Sequence, residues 1–189
     1  PWLFRLGRLV MPLFGFVLAY NLARPGAAAR GVYLRVGKRI VLFGLISTPA
    51  FLALGGLLDR WWPLNIMFTL LVTTACAFLF FERPGWRAKL LGVVVLVVGG
   101  SSVEFWWPAV LMNLAFVAWV KSGRHRWIVA AFVAAFFLGA VNGDQWALAS
   151  FPIILASPMI RLQLHRVRWA FYVYYPALLY LLLVARMAS

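Results

Sequence analysis

Apolar runs near the length of a bilayer crossing follow one another along almost the whole chain, and the charged residues are largely confined to the short gaps between them. That arrangement constrains the fold more than any motif does. A run of about 20 apolar residues matches the hydrocarbon thickness of a membrane. The runs fall at about 4–22, 39–58, 64–81, 88–103, 105–121, 127–143, 146–161 and 169–186, eight in all. The stretch from Lys89 to Val120 is too long for one crossing, and Gly99, Gly100, Ser101, Ser102, Glu104 and Pro108 mark a turn that divides it. Backbone facing lipid has to satisfy its own hydrogen bonds, so each run is expected to be helical, with tilt or local thinning accommodating the shorter ones. The expected fold is all-α: a polytopic transmembrane helical bundle of about eight spans, one domain over residues 1–189. The hydrophobic share of 65% agrees, since soluble domains hold about 45–50%.

The positions of the cations test this count. A net charge of +14 in a soluble chain would suggest nucleic acid, but here the basic residues alternate between gaps. Arg24, Arg30, Arg35, Lys38 and Arg39 follow the first run, Arg83, Arg87 and Lys89 the third, Lys121, Arg124 and Arg126 the fifth, and Arg161, Arg166 and Arg168 the seventh. Only Arg5, Arg8, Arg60 and Arg186 fall on the other side. Cytoplasmic loops collect Lys and Arg, so the rich gaps are expected in the cytoplasm, membrane lipid is the expected partner, and nucleic acid is not. Pro1 is then expected on the extracytoplasmic side, after a further span that starts in the cytoplasm. The single cysteine, Cys76, excludes an internal disulfide.

Chemistry is concentrated in a few places. Arg35, Lys38 and Arg39 are spaced i, i+3, i+4 and share one helical face at the cytoplasmic boundary. Guanidinium groups there suit a phosphate arriving from the cytosol, although an anchoring role accounts for the same trio. Arg8 is expected nearer the apolar body than Arg5, and a charge inside a span is a functional candidate by default. Tyr20 and Asn21 are placed to line a polar path or to bond between helices. Tyr172, Tyr174 and Tyr175, like Trp61 and Trp62 beside Asn65, also fit an interfacial aromatic belt. His125 and His165 sit among cytoplasmic arginines. Glu104 and Asp144 are candidate bases on the extracytoplasmic side, but as turn residues both are expected to be solvated, which leaves no convincing general base. Gly139 and Gly143 have the small-xxx-small spacing of close helix packing.

Arg8 is followed by Met-Pro-Leu-Phe-Gly-Phe-Val-Leu-Ala-Tyr-Asn-Leu-Ala-Arg from Met11 to Arg24; later come Pro-Leu-Asn-Ile-Met-Phe-Thr-Leu-Leu from Pro63 to Leu71 and Phe-Tyr-Val-Tyr-Tyr-Pro-Ala-Leu-Leu from Phe171 to Leu179. In these motifs the chain resembles the TraX family, integral membrane proteins named for acetylating the N-terminus of a conjugative pilin and distantly similar to multispan membrane acyltransferases. The resemblance implies residence in a bacterial inner membrane and acetyl-CoA as donor. A pilin-like peptide or a glycan would be the acceptor, through an amine or hydroxyl. It also implies catalytic roles for Arg8 and for Tyr175 of the Tyr-Pro signature, with Arg35, Lys38, Arg39, Tyr20 and Asn21 holding the donor. The family pattern includes a preceding span ending in Leu-Asp-His, and a final Tyr-Pro-x-His-Leu where this chain has Leu178. A degenerate accessory subunit of a membrane complex, or a transporter or lipid-handling protein, are the competing expectations.

Overall fold

The structure is a computed structural model that describes residues 7–56, 62–157 and 169–188. Those residues are helical apart from their turns and a single parallel bridge between Leu64 and Val103. The helices are α1 (Val10–Leu22), α2 (Val32–Ala53), α3 (Ile66–Ala77), α4 (Trp86–Ser102), α5 (Trp106–Ser122), α6 (His125–Asn142), α7 (Ser150–Ala156) and α8 (Ala170–Ala188). A π-helical turn, Phe78–Glu82, continues α3, and a 3-10 turn, Trp146–Ala149, leads into α7.

Local chemistry sets the helix ends. Gly31 enters α2 with φ 64°, Gly123 closes α5 with its N–H on Trp119 O, and Gly143 closes α6 with φ 74°. A left-handed residue at a helix terminus suits glycine, which lacks the Cβ that makes that conformation costly. Gly143 therefore ends a helix instead of extending a packing seam. The buried seam of α6 is Ala131, Ala135, Leu138 and Gly139. Asn65 caps α3 by accepting from Met67 N at 3.1 Å. At the other end of α3, Lys89 Nζ donates to the carbonyl oxygens of Leu79, Phe80 and Arg83, groups exposed by the π turn.

Helix α5 forms the centre. Every residue from Ala109 to Ala118 except Leu111 is buried, the pattern of a helix surrounded by others. It packs on α1, α3, α4 and α6, while α2 packs on α3 and α8. Helix α4 is peripheral: only Gly92 and Gly100 are buried, and Leu90, Leu91, Val93, Val94, Val97 and Val98 are exposed. Similar apolar faces lie open on α6 (Val129, Phe132, Val133, Phe136, Phe137) and α8 (Leu181, Leu182, Val184). Contiguous exposed apolar surface on this scale suits lipid or a partner.

The helices alternate end for end. At one end Tyr33 OH donates to Leu22 O at 3.2 Å and to Glu82 Oε1 at 3.0 Å, and Lys121 Nζ pairs with the same carboxylate. This brings the gaps after α1, α3 and α5 together, as their shared basic character implies. The basic gap containing Arg161, Arg166 and Arg168 lies outside the described residues, as do Arg5, Asp59, Arg60, Trp61 and His165. Arg39 sits over the Trp169 ring at 4.6 Å, which puts the start of α8 at this end too.

Span lengths differ from the expectation. Three helices, Val32–Ala53, His125–Asn142 and Ala170–Ala188, are long and apolar enough to cross a membrane. The 13 residues of α1 reach only about 20 Å. Several of the shorter helices stop because their ends meet at polar groups inside the bundle.

Candidate functional site

The polar cluster at those helix ends is built around Glu104. Trp62 Nε1 donates to Ser101 O at 2.7 Å, Leu64 N to Ser102 O at 3.0 Å and Glu104 N to Leu64 O at 2.7 Å. The approach to α3 is thereby tied to the turn between α4 and α5. From the opposite direction Thr69 Oγ1 donates to Glu104 O at 2.7 Å. The turn then passes through Phe105 and Trp106, both non-glycine residues in the left-handed region with φ 66° and 52°. Each such residue costs on the order of 1–3 kcal/mol and persists only where its surroundings enforce it, a situation concentrated at functional sites.

Glu104 is half-buried in this turn. Burial pushes it up to about 7, against the opposing pull of the Ile66 backbone N–H and the Arg8 guanidinium. The expectation of a solvated turn residue is corrected here. The sequence signal was present only faintly: an isolated acid followed by Phe105, Trp106 and Trp107. Tyr175 of α8 lies in the same neighbourhood, within electrostatic reach of Glu104 and near the Ile66 backbone N–H. Arg8 and Tyr175 thus both act electrostatically on one half-buried carboxyl, although they come from opposite ends of the sequence.

Arg8 also has a structural role. Its Nη1 donates to Asn142 Oδ1 at 2.7 Å and its Nη2 to Asn142 O at 2.9 Å, and its Nε lies 3.8 Å from Asp144 Oδ2. This clamps α1 to the C-terminal end of α6, where a cation is favoured by the helix dipole. Asp144, expected to be solvated, receives Trp146 N at 3.2 Å as well as facing Arg8. Beside the cluster Asn65 Nδ2 donates to Gly44 O at 3.0 Å and to Thr48 Oγ1 at 3.2 Å. The cluster therefore lies beside the middle of α2, which continues to Ala53.

Below it, Asn113 Nδ2 donates to Thr73 Oγ1 at 3.3 Å, and Asn113 Oδ1 is buried with no hydrogen-bond partner among the described residues. A Cβ on Gly15 would stand 1.8 Å from that oxygen, so α1 and α5 approach this closely only because residue 15 is glycine.

At the basic end of the bundle the trio separates. Helix α2 starts at Val32, ahead of all three residues, and Arg35 and Lys38 are exposed. Arg39 instead stacks on Trp169 and lies 5.7 Å from the Tyr172 ring. Tyr20 is exposed with Arg24 5.6 Å from its ring, and Asn21 is half-buried one residue further on. Helices α1 and α2 meet through Tyr33 and Leu22 at their ends; along their length Phe14 of α1 stacks instead on Phe171 of α8 at 4.7 Å. No group of three or more His, Cys, Asp or Glu among the described residues is placed to hold a metal.

Comparison with known families adds one match: the family model described as TraX protein fits residues 1–186. No curated protein and no solved structure matches the chain.

Proposed function

This chain belongs to the TraX family of membrane proteins, and on that premise we propose that it is an integral membrane acetyltransferase carrying an acetyl group from acetyl-CoA to an amine or hydroxyl. The observation that supports this most is the Glu104 carboxyl, enclosed by the 64–103 bridge and the strained turn with Arg8 and Tyr175 beside it. A general base works best when its pKa lies near the working pH, and a carboxyl at about 7 meets that requirement.

In this reading Glu104 takes the proton from the attacking amine or hydroxyl as its nitrogen or oxygen bonds to the thioester carbonyl carbon. The Tyr175 hydroxyl is the donor for the oxyanion that develops. The carbon–sulfur bond then breaks, and the thiolate of coenzyme A leaves with the proton returned from Glu104. Arg8 keeps the ionised carboxylate accessible by lowering its cost. The donor's phosphates are held at the exposed Arg35 and Lys38. From Arg35 to Gly44, beside the cluster, is about 14 Å along α2, a distance that an extended pantetheine arm bridges. Helix α2 thus connects a phosphate site in the cytosol with the acyl-transfer site. The bundle crosses a bacterial inner membrane about eight times, its basic end in the cytoplasm; the acceptor is a pilin-like peptide or a glycan.

The test is release of free coenzyme A from acetyl-CoA by the protein in proteoliposomes, with a peptide bearing a free N-terminal amine as acceptor, together with acetyl-CoA titration of wild type, Arg35→Ala and Lys38→Ala. Saturable binding weakened about ten- to a hundredfold by Arg35→Ala is expected if its guanidinium grips phosphate. Absence of wild-type binding would overturn the enzyme reading. It would favour an accessory subunit, the alternative supported by Leu178 at the family's histidine position.

A further inference from the structure

Between α6 and α7 the bundle leaves an open groove of about 400 Å³, lined entirely by apolar residues, among them Ile128, Val129, Phe132, Phe151, Pro152 and Leu155. It arises because α7 is short and enters through a 3-10 turn, so it covers only part of the α6 face. Phe132 and Phe151 meet edge to face at 5.2 Å and form its floor. The groove reaches the N-terminal turn of α6, which begins Arg124-His125-Arg126, all exposed. Arg124 and His125 precede Ile128 and Val129 by one turn and therefore stand on the same side of the helix. Among the described residues neither Arg124 nor Arg126 forms an ion pair, and Arg126 lies 5.2 Å from the neighbouring Trp127 ring.

An apolar channel with cations at one mouth has the charge pattern of a molecule with a hydrocarbon chain and an anionic head. We propose that this groove is a binding site for an anionic phospholipid of the cytoplasmic leaflet, with an acyl chain along Val129 and Phe132 and the phosphate at Arg124 and Arg126. The site is separate from the Glu104 cluster, which lies at the opposite end of α6 through Arg8 and Asn142. It rests on the same orientation of the basic end. Basic pockets between transmembrane helices on the cytoplasmic side are recurrent sites for anionic headgroups.

The experiment is native mass spectrometry of the full chain released from nanodiscs holding equal phosphatidylglycerol and phosphatidylcholine. Wild type is expected to retain phosphatidylglycerol in preference to phosphatidylcholine by about fivefold or more, the effect of one basic residue near an anionic surface. Arg124→Gln combined with Arg126→Gln should abolish the preference while lipid is still retained. Val129→Trp, at a position 60% exposed and so tolerant of a larger side chain, should lower retention of both lipids with the circular dichroism unchanged. Added glycerol phosphate, which has the headgroup chemistry without a chain, should not displace the lipid. Equal retention of the two lipids by wild type, an undiminished preference in the double arginine variant, or wild-type retention by Val129→Trp would each overturn the site, as would displacement by glycerol phosphate alone.

Discussion

The two ends of the bundle each hold a glutamate between helices, and they treat it differently. At the basic end Glu82 closes the π turn of α3 and is met directly by Lys121 and Tyr33. Its charge is matched at the rim, where solvent screens the pair and an ion pair contributes about 0–1 kcal/mol. At the other end Glu104 is reached by no lysine among the described residues. Arg8, its nearest cation in effect, is engaged with Asn142 and Asp144. The backbone around it is strained instead of relaxed. One carboxylate acts as a latch between helices. The other is held in an environment that disfavours its charge, which is the condition a proton acceptor needs.

The largest expected effect that separates the two is on catalysis. Glu104→Gln keeps the shape and the backbone bonds while removing the proposed base, so coenzyme A release should fall by roughly 10²–10⁴-fold, whereas Glu82→Gln should leave turnover within a few-fold. Similar losses in both variants would erase the distinction.

The pH profile sharpens it further. A carboxyl raised to about 7 is neutral below that pH and ionised above it, so wild-type acetyl transfer should climb about tenfold per pH unit on the acid side and level off above neutrality. The residual activity of Glu104→Gln should lack this inflection, and a wild-type rate independent of pH between 5 and 8 would remove Glu104 as the base.

A third variant asks whether the two ends are mechanically joined through the core. Gly15→Ala places a methyl group against Asn113, and overpacking of this kind costs typically 1–3 kcal/mol. Thermal unfolding in detergent should shift down accordingly. Because α1 carries Arg8 at one end and Leu22, the Tyr33 acceptor, at the other, both clusters should loosen together, read as faster hydrogen exchange in α3 near Asn65 and near Glu82. The smallest effect is expected for Lys121→Ala, which removes a rim ion pair and should lower stability by about 1 kcal/mol or less. A larger loss would mean that the Glu82 latch, too, is substantially desolvated.

Much of the bundle was legible before any coordinates. Apolar runs bounded by Gly, Pro and charge gave the helices, including the division of the Lys89–Val120 stretch at the turn now seen between Ser102 and Trp106. The alternation of Lys and Arg gave the end-for-end order that the Leu22, Tyr33, Glu82 and Lys121 contacts display. Arg8, Tyr20, Asn21, Arg35, Lys38, Arg39 and Tyr175 stood out by residue type and motif, but their partners did not. Spacing put Arg39 on a face with Arg35 and Lys38, yet Trp169 draws it into a stack. Glu104 stood out as a candidate base, but its place in a turn pointed to solvation.

What the sequence determined by itself is therefore what local repetition encodes: helical class, apolar character, the common end at which the basic gaps after α1, α3 and α5 collect, and membership of the TraX family. Only the tertiary structure decided which acid has its charge disfavoured, that Arg8 closes on Asn142, and that Tyr175 comes within electrostatic reach of the same carboxyl. The reason is physical. Helix formation and charge placement depend on residues a few positions apart, whereas the desolvation of Glu104 requires Leu64, Thr69 and Tyr175 to converge on one turn from separate parts of the chain, and no short-range pattern records that convergence.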